Sequence, residues 1–592
     1  MSRKTKSRLK RERGHRPLQR FTGPLLILVA AAVGVWPLVK MGPSCGPDFH
    51  FHFVSWIEAQ RSILDGVLYP HWASGPNFGA GEPRFVFYPP LMWMTGGFLG
   101  LVVPWGAVSI VLLYLLFAAT GLANRALARQ MLGNGPATLA GCASIFIGNI
   151  LVDGYLRGDY GELAGGFWIP LLLMFQLRRS VPSGAFLPRW LAGVVPLSLV
   201  VAGIWLTNGP LGIMASYLLL ATAVVSAAIS KSWAPLARAA FSALLGGALA
   251  AFYLLPAIWE RGWANFGAAV SEWAYVIENG WLFSQPADSS WIHQDTSSDI
   301  HSWVAVAMFG ISAIAVGIAW KRGKLTAERA WWIPLALIPV AVLLMQVPVS
   351  EPLWNRLPAL RYLQFPWRWL VVMNGSLSVF FAAAVWVNPL RGRIAITTAC
   401  ALLFFVITGC TLGVCFQNCH NVVSTIPQLE QTEGIRGKPE YAPPGIRHAL
   451  LERDVAGNCE VSNLSDLAGE PVRELSAAQD GKPACDGEFV QTENRPEDKT
   501  FMGSGDRAGY LILHLRSYPA WRVTVNGQAA AAAREEGYGL MAVPIPQGKV
   551  VVAVEWETTP DVWVGRSISV LAFALLTALY VVERKAARQS RV

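Results

Sequence analysis

The sequence predicts a polytopic α-helical membrane protein of about twelve transmembrane helices with a small extracytoplasmic β-sandwich-like domain. Three observations carry this expectation. Hydrophobic residues make up 53% of the 592 positions and charged residues only 15%, which is more apolar surface than one water-soluble core of ordinary proportions buries. The apolar residues fall in runs of the roughly 20 residues that a spanning helix needs. Lys and Arg collect in alternate connections between those runs, as the positive-inside rule requires.

In chain order, residues 1–20, MSRKTKSRLKRERGHRPLQR, form a basic cytoplasmic tail. A basic arm suits nucleic acid as well, but this one abuts an apolar run, so membrane anchoring is favoured and no nucleic-acid partner is expected. The first run has no convincing small-residue cleavage site and many runs follow it, which marks it as an uncleaved helix. Spans are expected near 21–39, 104–124, 136–152, 163–178, 189–207, 211–230, 236–257, 302–320, 331–347, 367–388, 393–415 and 561–582. With the N-terminus inside, the cytoplasmic connections hold Arg125 and Arg129, Arg178 and Arg179, Lys231 and Arg238, Lys321, Arg322 and Lys324, then Arg391 and Arg393. Every one is basic. Twelve spans bring both termini to the cytoplasmic face of the membrane, with 583–592 as the second basic tail.

PPLMWMTGGFLGLVVP, residues 89–104, is also apolar. A single crossing there would turn every later basic connection outward, and the run is short for a span. It is expected to lie at the interface or re-enter, covered by protein. The transmembrane domain is then 21–415, with a first outer loop at 40–103. Residues 416–560 form an extracytoplasmic domain, β-rich at about 500–560, and 561–582 is the last helix. GYLILHLRS (509–517), WRVTVNG (521–527) and KVVVAVEWE (549–557) carry the strand pattern, and Asn526-Gly527 is a hairpin-turn signal. Outside the cytoplasm disulfides persist, and Cys459 with Cys485 is the pairing considered. Cys415 and Cys419 mark the membrane edge; a zinc site near Cys419 and His420 lacks a paired CxxC knuckle.

Three constellations gather on the outer side. GPDFHFH places Asp48 and His52 four residues apart, on one face if the stretch is helical. A carboxylate there suits a general base or a divalent-metal ligand; a plain helix cap is the alternative. His50, His52 and His71 raise a rival zinc reading; the 50/52 alternation suits a strand and the Asp48/His52 spacing a helix, both cannot hold, and isolated histidines in aromatic loops are more often structural. DGYLRGDYGE brings Asp153, Arg157, Asp159 and Glu162 to the lipid boundary, where charge is costly unless paired or functional. Arg157 either pairs with Glu162, or Asp159 or Glu162 joins Asp48 as an acidic pair. RLPALRYLQFPWRWL, residues 356–370, carries Arg356, Arg361, Gln364 and Arg368 amid interfacial aromatics. Arg binds phosphate bidentately, so Arg368, and Arg84 in GEPRFVFYPP, are candidates for a lipid-linked phosphate; Gln364 is a candidate for a sugar hydroxyl. No Walker A pattern, GxGxxG or clear inverted repeat is present, which disfavours an ATP-driven pump, a dinucleotide enzyme and many secondary transporters.

GPDFHFH, YPHW…NFGAGEPRFVFYPPL, YLRGDYGE and LPALRYLQFPWR are similar, in order and placement, to motifs of the bacterial 6-pyruvoyl-tetrahydropterin synthase-related integral membrane family. That family resembles the GT-C superfamily of polytopic glycosyltransferases. The likeness covers about residues 20–415, and the C-terminal part resembles the YfhO-like membrane proteins. Pterin chemistry is not implied, because the chain keeps only the His50-x-His52 fragment of such a zinc site. The resemblance implies a GT-C-like enzyme of the cell envelope that transfers a sugar from a polyprenyl-phosphate donor, with inversion, to an extracytoplasmic glycan or protein acceptor. Asp48 and Glu162 would be the catalytic acids, with Asp159 the local competitor. His52, Arg84, Arg157, Asp159, Gln364 and Arg368 would bind substrate, Arg157 and Arg368 at the donor phosphate. Metal dependence varies across the superfamily, so Asp48 and Glu162 are also the candidate ligands for Mg²⁺ or Mn²⁺. LTNGP at 206–210 departs from relatives that carry a His before the Pro. The alternative function is a non-catalytic transporter or an assembly factor for surface glycopolymers.

Overall fold

The computed structural model describes residues 3–178, 191, 193–271, 276–284, 292–325, 329–419, 423, 426–427, 434–453, 455, 457–464 and 489–589. It is a mostly helical membrane protein with a C-terminal β-sheet domain. Among the described residues eight helices are long and apolar enough to cross a membrane: Phe21–Met41, Trp105–Ala128, Asn134–Leu156, Gly209–Ser230, Asp299–Lys321, Pro366–Val385, Leu390–Cys415 and Pro560–Lys585.

The other four expected spans take different forms. Two are bent: Ala234–Leu249 meets Ala251–Trp263 at 79°, and Arg329–Met345 meets Pro348–Arg356 at 93°. The first bend is held from outside. Gly565 of the last helix approaches so closely that a Cβ there would lie 2.6 Å from the Ala251 carbonyl oxygen. Beside it the Ser569 hydroxyl accepts from the Phe252 N–H at 2.9 Å and donates to the Ala248 carbonyl at 3.1 Å. One side chain thus serves two backbone groups at the break, as a low-dielectric setting demands. The remaining two are short helices, Gly165–Leu177 of 13 residues and Val194–Thr207 of 14, below the roughly 20 residues of a straight span.

The 89–104 run forms helix Pro90–Gly100, 11 residues or about 16 Å, too short to cross. It lies against helix Phe49–Leu64 at Gly96, where a Cβ would meet the Trp56 indole at 2.2 Å.

The Asn134–Leu156 span kinks at Gly148. Asn374 fills the kink, donating to the Ser144 carbonyl at 3.0 Å, and a Cβ on Gly148 would meet its Oδ1 at 2.1 Å. The second half, Asn149–Leu156, is thereby aimed so that its end delivers the 153–162 segment to the end of helix Phe21–Met41.

The β domain has two antiparallel sheets, ordered β1-β4-β8-β7 and β2-β3-β9-β5-β6. The strands are β1 (Cys459–Val461), β2 (Val490–Arg495), β3 (Asp498–Gly505), β4 (Gly509–Arg516), β5 (Trp521–Val525), β6 (Gln528–Ala530), β7 (Ala533–Arg534), β8 (Leu540–Ile545) and β9 (Gly548–Trp556). Leu511, Leu513 and Val543 of one sheet share a core with Phe501, Val523 and Val552 of the other, the packing of a sandwich. The Asn526-Gly527 hairpin joins β5 to β6 with φ of 51° and 79°, the double left-handed turn that these two residues favour. The β region extends beyond 500–560, because β1 and β2 come from earlier in the chain.

This domain sits on the loop that follows helix Phe49–Leu64. Glu497 accepts from the His71 N–H and meets its Nδ1, both at 2.9 Å. Arg516 donates to the Ala80 carbonyl from its N–H at 2.9 Å and reaches Asn77 at 3.3 Å. Cys45 is bridged to Cys419, 374 residues away. Cys415 is a free thiol. Cys459 is also disulfide-bonded; its expected partner Cys485, like His420, lies outside the described residues.

Candidate active site

The site begins where helix Phe21–Met41 ends. Ser44 donates to the Tyr155 carbonyl, the Cys45–Cys419 bridge follows, and Gly46 then passes so close that a Cβ would meet the Leu156 and Arg157 carbonyl oxygens at 2.3 and 2.4 Å. Only glycine fits there. The Asp48 N–H donates to the Arg157 carbonyl at 3.1 Å and helix Phe49–Leu64 starts. Asp48 occupies the cap position, but its side chain makes no cap hydrogen bond. It turns instead to Arg157.

Arg157 is the centre of the cluster. Its guanidinium meets Asp48 at 2.7 Å, Glu162 at 2.7 Å, Asp153 at 3.2 Å and Asp159 at 3.3 Å. Asp153 stands one helical turn before it. Gly158, at φ 68°, reverses the chain so that Asp159 comes back to the same cation. Asp159 also caps the short helix Tyr160–Leu163, accepting from the Glu162 N–H at 3.0 Å. Helix entry Pro366–Trp369 closes the other side: the Trp367 ring lies 4.4 Å from the Arg157 guanidinium carbon, and Arg368 Nε stands 3.5 Å from Glu162 Oε2. Four carboxylates and two guanidiniums leave a formal charge of −2 in a mostly buried place.

His52 is buried one turn beyond Asp48. Its Nε2 is 3.3 Å from Asp159 Oδ1 and its Nδ1 is 3.3 Å from the Tyr88 hydroxyl. Beside a carboxylate, Nε2–H donates to Asp159 and Nδ1 accepts from Tyr88.

Burial works to raise the Asp159 carboxyl, but the His52 hydrogen bond and the Arg157 charge override it and hold it below the usual range. Burial dominates at Glu162 and pushes its carboxyl up, against the pull of Arg157 and Arg368. Two neighbouring acids thus receive opposite bias, the pattern that separates acid from base roles. Asp48 keeps 38% of its side chain exposed, whereas Glu162 keeps 1%. Glu162 Oε1 is buried without a hydrogen-bond partner among the described residues.

Asp48, His52, Arg157, Asp159, Glu162 and Arg368 therefore meet in one cluster, and Arg157 bridges both Asp48 and Glu162. Arg84 and Gln364 do not join it. Arg84 is buried on Glu82 at 2.7 Å and Ser55 at 3.1 Å, with its face over Phe51. Gln364 has φ 64° and donates to the Ala269 carbonyl at 2.8 Å. His50 lies on the open side of the helix, away from His52, and His71 is taken by Glu497. The donor set does not suit a metal ion: the acids converge on a guanidinium, and among the described residues no group of three or more His, Cys, Asp or Glu could hold one.

Tyr88 and Trp367 belong to the cluster but were not singled out in the sequence, and Asp153 was singled out there without a role assigned to it. The i,i+4 spacing of Asp153 and Arg157 is a usable signal. Tyr88 and Trp367 carry none among so many interfacial aromatics.

No family model matches the chain, and no curated protein matches it. Among solved structures it is similar to the oligosaccharyltransferase of Archaeoglobus fulgidus in the apo form, at 12% identity and a TM-score of 0.42, over 70% of this chain and 58% of that one. It is also similar to the same organism's AglB in complex with an inhibitory peptide and a dolichol-phosphate, at 13% identity and 0.39, over 71% and 57%. ArnT from Cupriavidus metallidurans bound to undecaprenyl phosphate matches at 14% and 0.28, over 60% and 77%. The chain spans somewhat over half the length of the archaeal enzyme.

Proposed function

We propose that this protein is an integral membrane glycosyltransferase. It moves a sugar from a polyprenyl-phosphate donor to an extracytoplasmic acceptor hydroxyl, with inversion. The observation that carries the reading is the Asp48–Arg157–Glu162 bridge: two acids on one guanidinium at the end of the membrane helices, one open to solvent and one buried. Asp48 is the accessible base that takes the acceptor proton as the hydroxyl oxygen attacks the anomeric carbon. The bond to the donor phosphate then breaks with its electron pair on the phosphate oxygen. Arg368, whose guanidinium keeps donors beyond its long contact with Glu162, meets that charge. Glu162, Asp153 and Asp159 hold Arg157, and so Asp48, in place.

The Cys45–Cys419 bridge at the same helix ends supports an oxidising compartment for this face, with the basic tails on the cytoplasmic side of the plasma membrane.

The test is transfer from a panel of polyprenyl-phosphate sugars by purified wild type, Asp48→Asn and Glu162→Gln. The wild type should consume one donor, and both variants should stay folded and inserted with transfer abolished. Full turnover in both variants, or no donor consumed by the wild type, overturns the reading in favour of a transporter or assembly factor.

A further inference from the structure

At the helix ends opposite the acidic cluster, a groove of about 410 Å³ opens between helices Phe21–Met41, Asn134–Phe146 and Leu390–Cys415. Its walls are apolar: Leu26 and Val33 on one helix, Phe146 and Phe404 on the others. Thr22 and Val33 both line it, a separation worth about 16 Å of helix. That is the depth of one leaflet of a hydrocarbon core roughly 30 Å thick.

The mouth is cationic. Arg125 ends helix Trp105–Ala128 there. Its Nε donates to Thr138 at 3.3 Å, and among the described residues no carboxylate pairs with it. Gly23 leaves the guanidinium room; a Cβ there would lie 2.9 Å from Arg125 Nε. Asn134 and Gly135, at the same mouth, form the first turn of a 13-residue helix without a side-chain cap. Backbone N–H groups of a first turn have no in-helix acceptor and favour an anion.

We propose that this groove binds a glycerophospholipid of the surrounding leaflet. One acyl chain lies along the apolar walls, and the phosphodiester meets Arg125 and the start of helix Asn134–Phe146. The apolar trough fits a chain of one leaflet's depth, and the Arg125 cation at its mouth fits the phosphate. This site is separate from the proposed active site and does not depend on the function assigned to it.

The test uses the full chain in mild detergent, delipidated and offered phosphatidylglycerol, diacylglycerol with the same acyl chains, or polyprenyl phosphate, with bound lipid counted by native mass spectrometry. One phosphatidylglycerol should remain bound. Diacylglycerol should bind about tenfold more weakly or worse, the size expected for a lost charged hydrogen bond. Arg125→Gln should lower phosphatidylglycerol to the diacylglycerol level. Cys142→Phe, which fills the trough, should weaken both. On the wild type, phosphatidylglycerol with a photoreactive acyl chain should label peptides containing Leu139–Phe146 or Cys400–Phe404. Equal binding of phosphatidylglycerol and diacylglycerol, labelling elsewhere, or displacement of phosphatidylglycerol by equimolar polyprenyl phosphate overturns the proposal.

Discussion

Arg157 stacks on Trp367, its guanidinium carbon 4.4 Å from the ring centre. The contact joins two loops more than two hundred residues apart and leaves the edge of the guanidinium free for acids. Removing either partner has calculable consequences. Arg157→Gln leaves four carboxylates without their shared cation, and breaking a buried pair in this way costs about 3–5 kcal/mol. Trp367→Leu loses the stacking, about 0.5–2 kcal/mol, and the packing of the buried ring on His301 and Phe365 as well. Thermal unfolding in detergent should place both variants below the wild type. A melting point for Arg157→Gln equal to that of the wild type would show that the acids are stable without it.

Transfer should fail on the acid side at a pH above the ordinary glutamate range. Burial raises the Glu162 carboxyl, so its charged form, which holds Arg157, is lost as pH falls through that raised value. Arg368 opposes the rise. Arg368→Gln should therefore move the acid limb of the pH–rate profile to still higher pH, besides slowing the reaction. An acid limb that stays put in that variant would separate Glu162 from the pH response.

Lys499 gives the β domain its own pH signature. It is buried under the first loop, donating to Asn494 at 2.7 Å and to Ser74 at 3.3 Å, and burial lowers its ammonium from 10.5 to about 8. The unfolded chain holds that proton more tightly than the folded one. Stability should thus rise with pH between about 8 and 10.5 as the folded state sheds its buried charge, by an amount on the order of 1–3 kcal/mol. Lys499→Met should flatten that rise in a denaturant series across this range; an unchanged slope would refute the assignment.

Much of this was written locally in the sequence. Apolar runs marked each of the eight helices long enough to cross a membrane among the described residues, basic connections kept 89–104 from counting as a span, and Asn526-Gly527 named its turn. Asp48 and YLRGDYGE announced the site because charge at a lipid boundary needs partners. What escaped depended on distant chain. The bend near Ala250 is served by Ser569, which no local pattern reveals. Arg84 looked available for phosphate, although Glu82, two residues earlier, takes it. Gln364 was turned away by a backbone conformation that periodicity does not encode. The histidine spacing left helix and strand open at 50–52, where the chain is helical, and it gave no hint that Cys45 joins Cys419, since spacing says nothing about pairing across 374 residues.

That bridge also sets an order of events in biosynthesis. Asp48 lies three residues past Cys45 and emerges early, yet its anchor is complete only once residue 419 has been made and brought to the same side of the bilayer. A nascent chain halted before that point carries Asp48, Arg157 and Glu162 with an unpaired thiol beside them. Maturation of the site is therefore tied to insertion of the helix that ends at Cys415, and any enzyme that forms the bridge acts as a gate on when the acids settle around Arg157.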